Sequence, residues 1–416
     1  MDRCRPRDAQ AVRRTARSGV VASVRRVLSV TTIAALVGTA TLTEAVATPK
    51  LAGASYAVVT ESNLCYQSAH RSCVDGTYHE MDAYLPSGAV GKAPGVILVH
   101  GGGFVGGDKS EFSRQAMTLA ANGLAAFSVN YRLTTPTFVG FPALVQDVMA
   151  AVSYVRAHAR TFHVDPHRLG LWGSSAGAYL ALESALEAFQ NEPSAQVKAV
   201  VGWSGPYDFV TGFPEEEPVV PLQVSYGDEY LGCSDLSNPT CLATAESASP
   251  TSWVAAGDPP TLLANSTDFS PTCEIVDPAQ ATELAGDLTR VGTSVTVDLN
   301  SECAHALAYT NVEMPNTLTF LEAHLFVAPT ITSSPSATFR IGRMKTFTVR
   351  SHGSPHATLT ESGALPMGVT FVDQHDGRAK LAGTAQAGTT GTYPIAITAS
   401  NGGSPNAMQR FTLTVR

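Results

Sequence analysis

A short turn with two glycines, Gly173 to Gly177 (GSSAG), separates an apolar run from an Ala- and Leu-rich run. Residues 168–172 (RLGLW) before it have the composition of a buried strand, and residues 176–190 after it that of a helix. The central Ser175 would project from this sharp strand-to-helix bend, and small neighbours would let the strained backbone close without clashes. The turn therefore indicates a sheet whose strands lead directly into helices.

The same alternation runs through residues 52–327. Strands are predicted at 94–100, 124–130, 168–172, 198–203, 260–264 and 294–299, and helices at 112–122, 142–159, 176–190, 278–290 and 315–325. Strands that alternate with helices of this length form a mostly parallel sheet with helices packed on it. A doubly wound α/β domain is therefore predicted for residues 48–328.

The pattern changes after residue 328. Residues 329–336 (PTITSSPS) form a Pro-, Ser- and Thr-rich junction, which is typical of a hinge between domains. From there to Arg416 the chain has short alternating runs separated by Gly, Pro and Asn clusters, and it has no convincing amphipathic helix. A small all-β sandwich is therefore predicted for residues 329–416.

The first 47 residues have the organisation of an export signal. Eight Arg residues lead into an apolar run at 27–42 (VLSVTTIAALVGTATL), which ends at the signal-peptidase pattern Ala45-Val46-Ala47. The apolar run is shorter than the ~20 residues that span a bilayer. Residues 1–47 are therefore predicted to be a cleaved signal peptide of a secreted protein with no membrane span. The Arg pairs 13–14 and 25–26 leave a twin-arginine route open.

The remainder of the chain is acidic. The formal net charge is −8 overall, and residues 48–416 carry 19 Lys and Arg against 32 Asp and Glu, a net charge of −13. A net negative charge of this size argues against nucleic acid as a partner, because the two would repel each other.

Six cysteines remain after the signal, and an even number in an exported chain predicts disulfides. They are Cys65, Cys73, Cys233, Cys241, Cys273 and Cys303. The spacing favours Cys65–Cys73 and Cys233–Cys241, which close short loops, and leaves Cys273 to pair with Cys303. A metal site is the alternative, but no C-x-x-C motif and no paired His accompany these cysteines.

Three consecutive glycines, 101–103, follow His100 at the end of the strand 94–100 (HGGGF). Such a loop lets the backbone approach a reacting carbonyl and aim N–H groups at it. The N–H groups of Gly102, Gly103 and Ala176 are predicted to form an oxyanion hole.

A flexible turn and a phosphate cradle are the alternatives for this loop. Gly101, Gly103 and Gly106 match the spacing of a dinucleotide-binding fingerprint. The G-x-S-x-G turn at 173–177 favours the oxyanion interpretation, and no cofactor is predicted.

A serine nucleophile needs a base to take its proton and an acid to orient that base, in the chain order Ser, acid, His. Between Ser175 and the sandwich the sequence contains two histidines. His305 follows the strand 294–299 in a loop of small residues (SECAHA) and is predicted to be the base. His324 lies in the last predicted helix.

Three aspartates are candidates for the acid. Asp268 follows the strand 260–264 at the edge of the sheet where catalytic acids lie, and it is the predicted acid. Asp277 is the alternative, although its place before Pro278 suits a helix N-cap. Asp258 precedes its strand and lies at the opposite edge.

Together, HGGGF, the tripeptide 130–132 (NYR), GSSAG and the acid and His loops resemble the α/β-hydrolase superfamily. The resemblance covers about 52–327 and is greatest to carboxylesterases and lipases of the hormone-sensitive-lipase-like and bacterial feruloyl-esterase-like type. It implies Ser175 as nucleophile, Asp268 as acid, His305 as base, and the oxyanion donors named above. Related sequences run from the acid directly into a D-x-x-V-P-like turn, whereas residues 269–273 (FSPTC) intervene here.

The phrases ESGALPMGVTF and LAGTAQAGTTGTYPIAITASN resemble the immunoglobulin-like domains appended to bacterial secreted and surface proteins. The two resemblances imply a secreted serine carboxylic ester hydrolase that uses an acyl-enzyme intermediate and needs no metal. Its partner would be a small-molecule or polymer-linked ester, and the Ig-like domain would contact a surface or a polysaccharide. A peptidase or amidase on the same fold and a non-catalytic adhesion protein are the alternatives.

Overall fold

The computed structural model describes residues 56–67, 73, 76–88, 92–211, 227–403 and 405–416. All of them belong to one compact unit, Pro49–Arg416. The predicted signal peptide, 1–47, lies outside the described residues. Within the described ranges, no helix is long and apolar enough to cross a membrane.

The larger sheet has eight strands in the order β1-β2-β4-β3-β5-β6-β7-β8. They are β1 Ala57–Cys65, β2 Glu80–Ser87, β3 Ala93–Val99, β4 Ala125–Val129, β5 Val164–Ser174, β6 Ala199–Trp203, β7 Thr261–Ser266 and β8 Val295–Asn300. The pairs β1–β2 and β2–β4 are antiparallel, and the others are parallel. Every residue of β3, β4 and β6 is buried, as expected of strands covered on both faces. The predicted α/β fold is confirmed.

Helices cover both faces of this sheet. They are α1 Ser113–Ala121, α2 Ala143–Ala157, α3 Ala176–Asn191, α4 Pro239–Ser247, α5 Ala279–Arg290 and α6 Thr310–Leu325. Alternate residues of β3 face opposite cores, because side chains alternate along a strand. Ile97 belongs to the core that also contains residues of α2, α3 and α5, whereas Leu98 belongs to the core that contains residues of α1 and α6 and the tryptophans Trp172 and Trp203.

The C-terminal part is an all-β sandwich, as predicted. Its sheets have the orders β10-β16-β15-β12 and β13-β14-β11-β9. The strands are β9 Val327–Ile331, β10 Ser336–Phe339, β11 Met344–Ser354, β12 Thr358–Gly363, β13 Val369–Asp373, β14 Arg378–Thr384, β15 Gly391–Ser400 and β16 Ala407–Val415. Val349, Leu381, Ile397 and Phe411 are among the side chains buried between the sheets.

The junction predicted as a hinge begins inside a strand. Residues 327–331 form β9, which pairs with β11 directly after α6 ends. The guanidinium of Arg168 on β5 also bridges the domains. It donates to the Ser354 carbonyl at 3.3 Å, to the Ser354 hydroxyl at 2.9 Å and to the Lys92 carbonyl at 2.8 Å. The sandwich therefore contacts the edge of the large sheet where β3 and β5 begin.

Candidate active site

Ser175 occupies a strained turn between β5 and α3. Its φ of 54° and ψ of −125° lie where a residue with a side chain is rarely found. Two glycines make the turn possible. A Cβ on Gly173 would lie 1.9 Å from the Gly177 carbonyl oxygen, and one on Gly177 would lie 2.1 Å from the Val99 carbonyl oxygen. The G-x-S-x-G sequence is thus a packing requirement at this junction.

His305 lies against this serine. Its Nε2 is 2.9 Å from Ser175 Oγ, and its Nδ1 is 2.5 Å from Oε1 of Glu274. The loop after β8 carries His305, and the short turn Ala306–Tyr309 follows it. The structure therefore brings together the two side chains that the sequence predicts as nucleophile and base.

The carboxylate on His305 is Glu274, so the assignment of Asp268 as its partner is wrong. Asp268 is exposed, whereas Glu274 is fully buried. After β7 the loop folds back on itself: the Glu274 N–H donates to the Asp268 carbonyl at 3.0 Å, and the Ser270 N–H to the Glu274 carbonyl at 2.9 Å. This fold-back carries the chain past Asp268 and returns it to the strand end at Glu274.

The other two aspartates do not contact His305 and accept hydrogen bonds from nearby backbone N–H groups. The Asp277 carboxylate accepts from the Ala279 N–H at 2.8 Å, at the start of α5. Asp258 accepts from the Ala255 N–H at 2.7 Å, before β7 begins. The sequence did contain a signal for Glu274, because Glu274 precedes Pro278 by four residues, which is the spacing of acid and proline in a D-x-x-V-P-like turn, although Asp277 occupies the position of the valine.

Further hydrogen bonds hold the Glu274 carboxylate. Its Oε2 accepts from the Ser204 hydroxyl at 2.6 Å, and its Oε1 accepts from the Val276 N–H at 3.0 Å. Ser204 Oγ also accepts from the Ala306 N–H at 3.0 Å and lies 2.6 Å from the Tyr309 hydroxyl. Buried polar groups need hydrogen-bond partners, and these bonds supply them for the Glu274 carboxylate.

Backbone strain concentrates around this cluster. Ser204 and Ala306 have positive φ values of 52° and 53°, as Ser175 does. Strained residues persist where the surrounding structure over-determines them, and they cluster at functional sites. Ser204 follows β6 directly, and no sequence motif marks it as part of the site.

The triple-glycine loop lies close to the nucleophile. A Cβ on Gly101 would lie 3.2 Å from the Cβ of Ser175, and one on Gly102 would lie 2.2 Å from the Gly106 carbonyl oxygen. Gly102 and Gly103 have φ values of 108° and 59°. In the described part of the chain, the N–H groups of Gly102, Gly103 and Ala176 donate to no protein acceptor, which leaves them free for a ligand.

Two buried side chains, His100 and Tyr131, hydrogen-bond to the backbone of the glycine loop. The Tyr131 hydroxyl donates to the His100 carbonyl at 2.8 Å, and the His100 Nδ1 lies 2.8 Å from the Gly101 carbonyl. Burial lowers the pKa of His100 to about 4, so its ring is neutral near pH 7. Arg132 binds the buried Asp147 carboxylate through Nε at 2.8 Å and Nη2 at 2.7 Å. Tyr131 of the tripeptide 130–132 thus supports the loop, and Arg132 joins the tripeptide to α2.

A cavity of about 410 Å³ opens over these groups. Its lining comprises Gly101, Gly102, Gly103, Glu111, Ser174, Ser175, Ile275, His305, Ala306, Leu307 and Ala308. Ser175, the imidazole of His305 and two of the three predicted oxyanion donors therefore face one space. Ala176 is outside this lining. Burial raises the pKa of the Glu111 carboxyl, which lines the wall.

The structure joins the cysteines in the three pairs that the spacing favours: Cys65–Cys73, Cys233–Cys241 and Cys273–Cys303. The third pair links the residue before Glu274 to the loop of His305. Asp268 lies beside these two sulfurs, but sulfurs bonded to each other are not thiolate ligands, so this group is a poor metal site.

The fold and this geometry are those of an α/β-hydrolase. Residues 81–288, half of the chain, match the BD-FAE family, and the chain belongs to this α/β-hydrolase esterase family. Residues 328–416 match the family described as "Putative Ig domain".

Curated relatives are similar over part of the chain. The isoprenylcysteine alpha-carbonyl methylesterase of Arabidopsis thaliana is 32% identical over 157 residues, which are 34% of this chain and 35% of that protein. The acetyl esterase of Salmonella paratyphi B is 30% identical over 140 residues, 33% of this chain and 43% of that protein. The chain thus spans about a third of the length of the curated relatives it matches.

Solved structures show the same fold at low identity. Esterase B from Lactobacillus rhamnosis has a TM-score of 0.51 and 21% identity, with 64% of this chain and 87% of that chain covered. A bifunctional GH43-CE protein of Bacteroides eggerthii has a TM-score of 0.53 and 20% identity, with 63% and 37% covered.

Proposed function

We propose that the protein is an exported serine carboxylic ester hydrolase in which Ser175, His305 and Glu274 form the catalytic triad. The observation that carries this proposal is the hydrogen-bond chain from Ser175 Oγ through both ring nitrogens of His305 to the buried Glu274 carboxylate. A serine hydroxyl becomes a nucleophile when an oriented imidazole takes its proton.

In the acylation half, Ser175 Oγ attacks the ester carbonyl while His305 Nε2 takes the hydroxyl proton. The carbonyl oxygen becomes an oxyanion, which the N–H groups of Gly102, Gly103 and Ala176 stabilise. The carbon–oxygen bond to the alcohol then breaks, and His305 returns the proton to the leaving alcohol. Water, deprotonated by His305, attacks the acyl-enzyme, and the acid leaves as Ser175 regains its proton.

Glu274 supports both halves without itself taking up a proton. A carboxylate can only accept, so its contact with Nδ1 fixes the tautomer that leaves Nε2 free to receive the serine proton. The negative charge also stabilises the imidazolium that forms in each half. The bonds from Ser204 and from the Val276 N–H hold that carboxylate in its orientation toward His305.

The substrate that we propose is a small-molecule or polymer-linked ester. The cavity has apolar walls at Ile275, Leu307 and Ala308 and a carboxyl at Glu111, which suit an apolar acyl group beside a hydroxyl-bearing alcohol. Export is supported by the organisation of residues 1–47 and by the three disulfides.

The test is a panel of nitrophenyl esters of increasing chain length beside the matching nitroanilide. We expect ester turnover, stoichiometric labelling of Ser175 by an alkyl phosphonate in mass spectrometry, and loss of both in Ser175→Ala with unchanged circular dichroism. Faster cleavage of the anilide would instead identify a peptidase or amidase. Neither turnover nor labelling would make the protein non-catalytic.

A further inference from the structure

The two domains have charges of opposite sign. Residues 329–416 carry eight Lys and Arg against three Asp and Glu, a formal charge of +5. Residues 48–328 carry 11 Lys and Arg against 29 Asp and Glu, a formal charge of −18. The net negative charge of residues 48–416 therefore comes from the hydrolase domain, whereas the sandwich is basic. The overall charge does not exclude an anionic polymer as a partner of the sandwich.

Part of this positive charge lies on the outer face of one sheet of the sandwich. Arg350 on β11 is directly opposite Arg378 on β14, and Lys380 is the next outward residue along β14. The intervening pair, Val349 and Ala379, is fully buried. Because side chains alternate along a strand, Arg350, Arg378 and Lys380 point outward, and all three are exposed. We call these three residues the basic face.

No carboxylate of the described residues neutralises the basic face. Asp373 is opposite the buried Ala379, so it points the other way, and it pairs with His375 at 3.2 Å. Asp376 accepts from the backbone N–H of Arg378 in the turn between β13 and β14.

The three cationic side chains themselves make no hydrogen bond or ion pair within the described chain. Like charges directly opposite each other across a sheet are destabilising. The face is therefore electrostatically complementary to a ligand that brings its own negative charges.

We propose that the basic face binds an anionic polysaccharide that carries uronate carboxylates. Arginine guanidinium groups match carboxylates with paired N–H donors, and lysine adds a point charge. Four threonines lie on the same outer face of the sheet as the basic residues, and their hydroxyls can exchange hydrogen bonds with sugar hydroxyls. They are Thr346, Thr348, Thr370 and Thr384. This binding goes beyond ester hydrolysis and does not depend on it.

Nucleic acid and membrane fit the same face less well. Phe347 and Phe371 point into the sandwich, as the neighbouring Val349 and Leu381 do. Among the described residues, the basic face therefore presents no Phe, Tyr or Trp on which a base could stack. It also lacks the amphipathic helix or aromatic anchors of a membrane-binding surface. A polyanion would approach the sandwich first, because the acidic hydrolase domain repels it.

The position of the face indicates how the bound polymer serves the enzyme. Ser354 of β11 contacts Arg168 near the beginning of β5, whereas Ser175 follows the end of that strand. The six residue steps from Arg168 to Ser174 span about 20 Å. The face therefore holds the enzyme on the polymer and leaves the cavity at the opposite edge of the sheet free for esters in the surroundings.

The experiment measures binding of the signal-free protein to immobilised polygalacturonate. The test variants are Arg378→Thr and the triple variant Arg350→Thr/Arg378→Thr/Lys380→Thr. Arg410→Thr is the matched control, because Arg410 is exposed on β16 in the other sheet. We expect the triple variant to weaken binding about tenfold or more and to reduce its salt dependence, since each lost contact removes one released counterion.

We expect Arg378→Thr to weaken binding measurably and Arg410→Thr to leave it unchanged. Turnover of nitrophenyl acetate should be the same in all variants, so a failure here is separate from a failure of the triad. The melting temperature should not fall, because threonine suits strands and the change removes a like-charge pair. If the triple variant nevertheless unfolds, the polygalacturonate affinities of Arg378→Thr and Arg410→Thr are compared instead. Weaker binding by Arg378→Thr alone then supports the proposal.

Several outcomes would overturn the proposal. They are an absence of polygalacturonate binding, equal weakening by Arg410→Thr, and equally tight binding of neutral arabinoxylan. Tighter binding of phosphatidylglycerol vesicles or of duplex DNA than of polygalacturonate would assign the face to a membrane or to nucleic acid instead.

Discussion

At the scale of single residues, the choice of acid is the sharpest test of the site. We expect Glu274→Gln to lower kcat by about 10⁴, because the amide no longer holds the tautomer that accepts the serine proton. Asp268→Asn should leave kcat within about twofold, since Asp268 is exposed and does not contact His305. Steady-state kinetics on one nitrophenyl ester decide between them. A large loss in Asp268→Asn with full activity in Glu274→Gln would return the acid to Asp268.

Sequence reasoning located Ser175 and His305 but missed Glu274 for a physical reason. The first two lie on short connections from a strand, where position along the chain gives position at the sheet edge. The acid lies beyond an extra turn, 269–273, whose fold-back depends on backbone hydrogen bonds and a disulfide. Chain spacing alone therefore pointed to the first carboxylate after β7 and not to the one that returns to the strand end.

Ser204 is expected to act as a positioning residue for the acid. In Ser204→Ala, Glu274 loses its hydroxyl donor, and the Ala306 N–H beside His305 loses its acceptor. Hydrogen bonds to charged groups contribute about 1.5–3 kcal/mol, so we expect kcat to fall roughly tenfold with KM unchanged.

Tyr309→Phe is the control for that variant. It removes the contact with Ser204 Oγ but keeps the bond from Ser204 to Glu274, so its effect on kcat should be smaller. Equal losses of kcat in both variants would mean that Ser204 acts as a packing residue and does not position Glu274.

At the scale of elements, the catalytic loops after β7 and β8 are joined by Cys273–Cys303. The bridge closes a loop of 30 residues, which the chain-entropy model rates at about 3–4 kcal/mol of stability. It also holds the acid loop against the base loop, and small misplacements of catalytic groups are costly in rate. We expect Cys273→Ser/Cys303→Ser to lower kcat at temperatures where circular dichroism shows the domain still folded.

The control is Cys65→Ser/Cys73→Ser, which removes a bridge that lies outside the catalytic loops. That variant should lose stability and keep its kcat below the unfolding transition. Equal kcat losses in the two double variants would mean that neither bridge acts on the catalytic geometry in particular.

Sequence patterns predict some of the strands of the large sheet but not others. The buried strands β3 to β7 are continuous apolar runs or begin at clear turn residues, and they were predicted. The antiparallel strands β1 and β2 were not, since β1 is mostly exposed and carries no apolar pattern. Its place in the sheet follows from pairing with β2, and single-strand patterns do not record pairing.

At the scale of the whole molecule, the sequence predicts two domains but not how they meet. The contact between Arg168 and Ser354 joins residues 186 positions apart. Neither residue is conspicuous within its own segment. The Pro-, Ser- and Thr-rich composition of 329–336 was typical of a hinge, yet β9 is drawn into the sandwich by its pairing with β11. Tertiary pairing overrode the local composition here.

Glu322 at this domain contact gives the molecule a pH dependence that can be measured. It lies on α6 against Gly402 of the sandwich, where a Cβ would be 2.8 Å from Glu322 Oε2. Burial raises the pKa of Glu322 from 4.5 to about 7. The pKa of Glu322 is higher in the folded state than in the unfolded state. Glu322 therefore adds to the free energy of unfolding in full below about pH 4.5, and this contribution is lost as the pH rises through 7.

We therefore expect Glu322→Gln to raise the melting temperature of the full-length protein at pH 8 and to leave it unchanged at pH 4.5. Since the side chain is only partly buried, solvent screening reduces the effect to about 1–2 kcal/mol, which corresponds to roughly 2–4 °C. Glu283→Gln is the matched control, because Glu283 is exposed on α5, and it should show no difference at either pH. Calorimetry at the two pH values measures this directly. A shift of the same size at both pH values would mean that ionisation of Glu322 does not govern how firmly the sandwich is held.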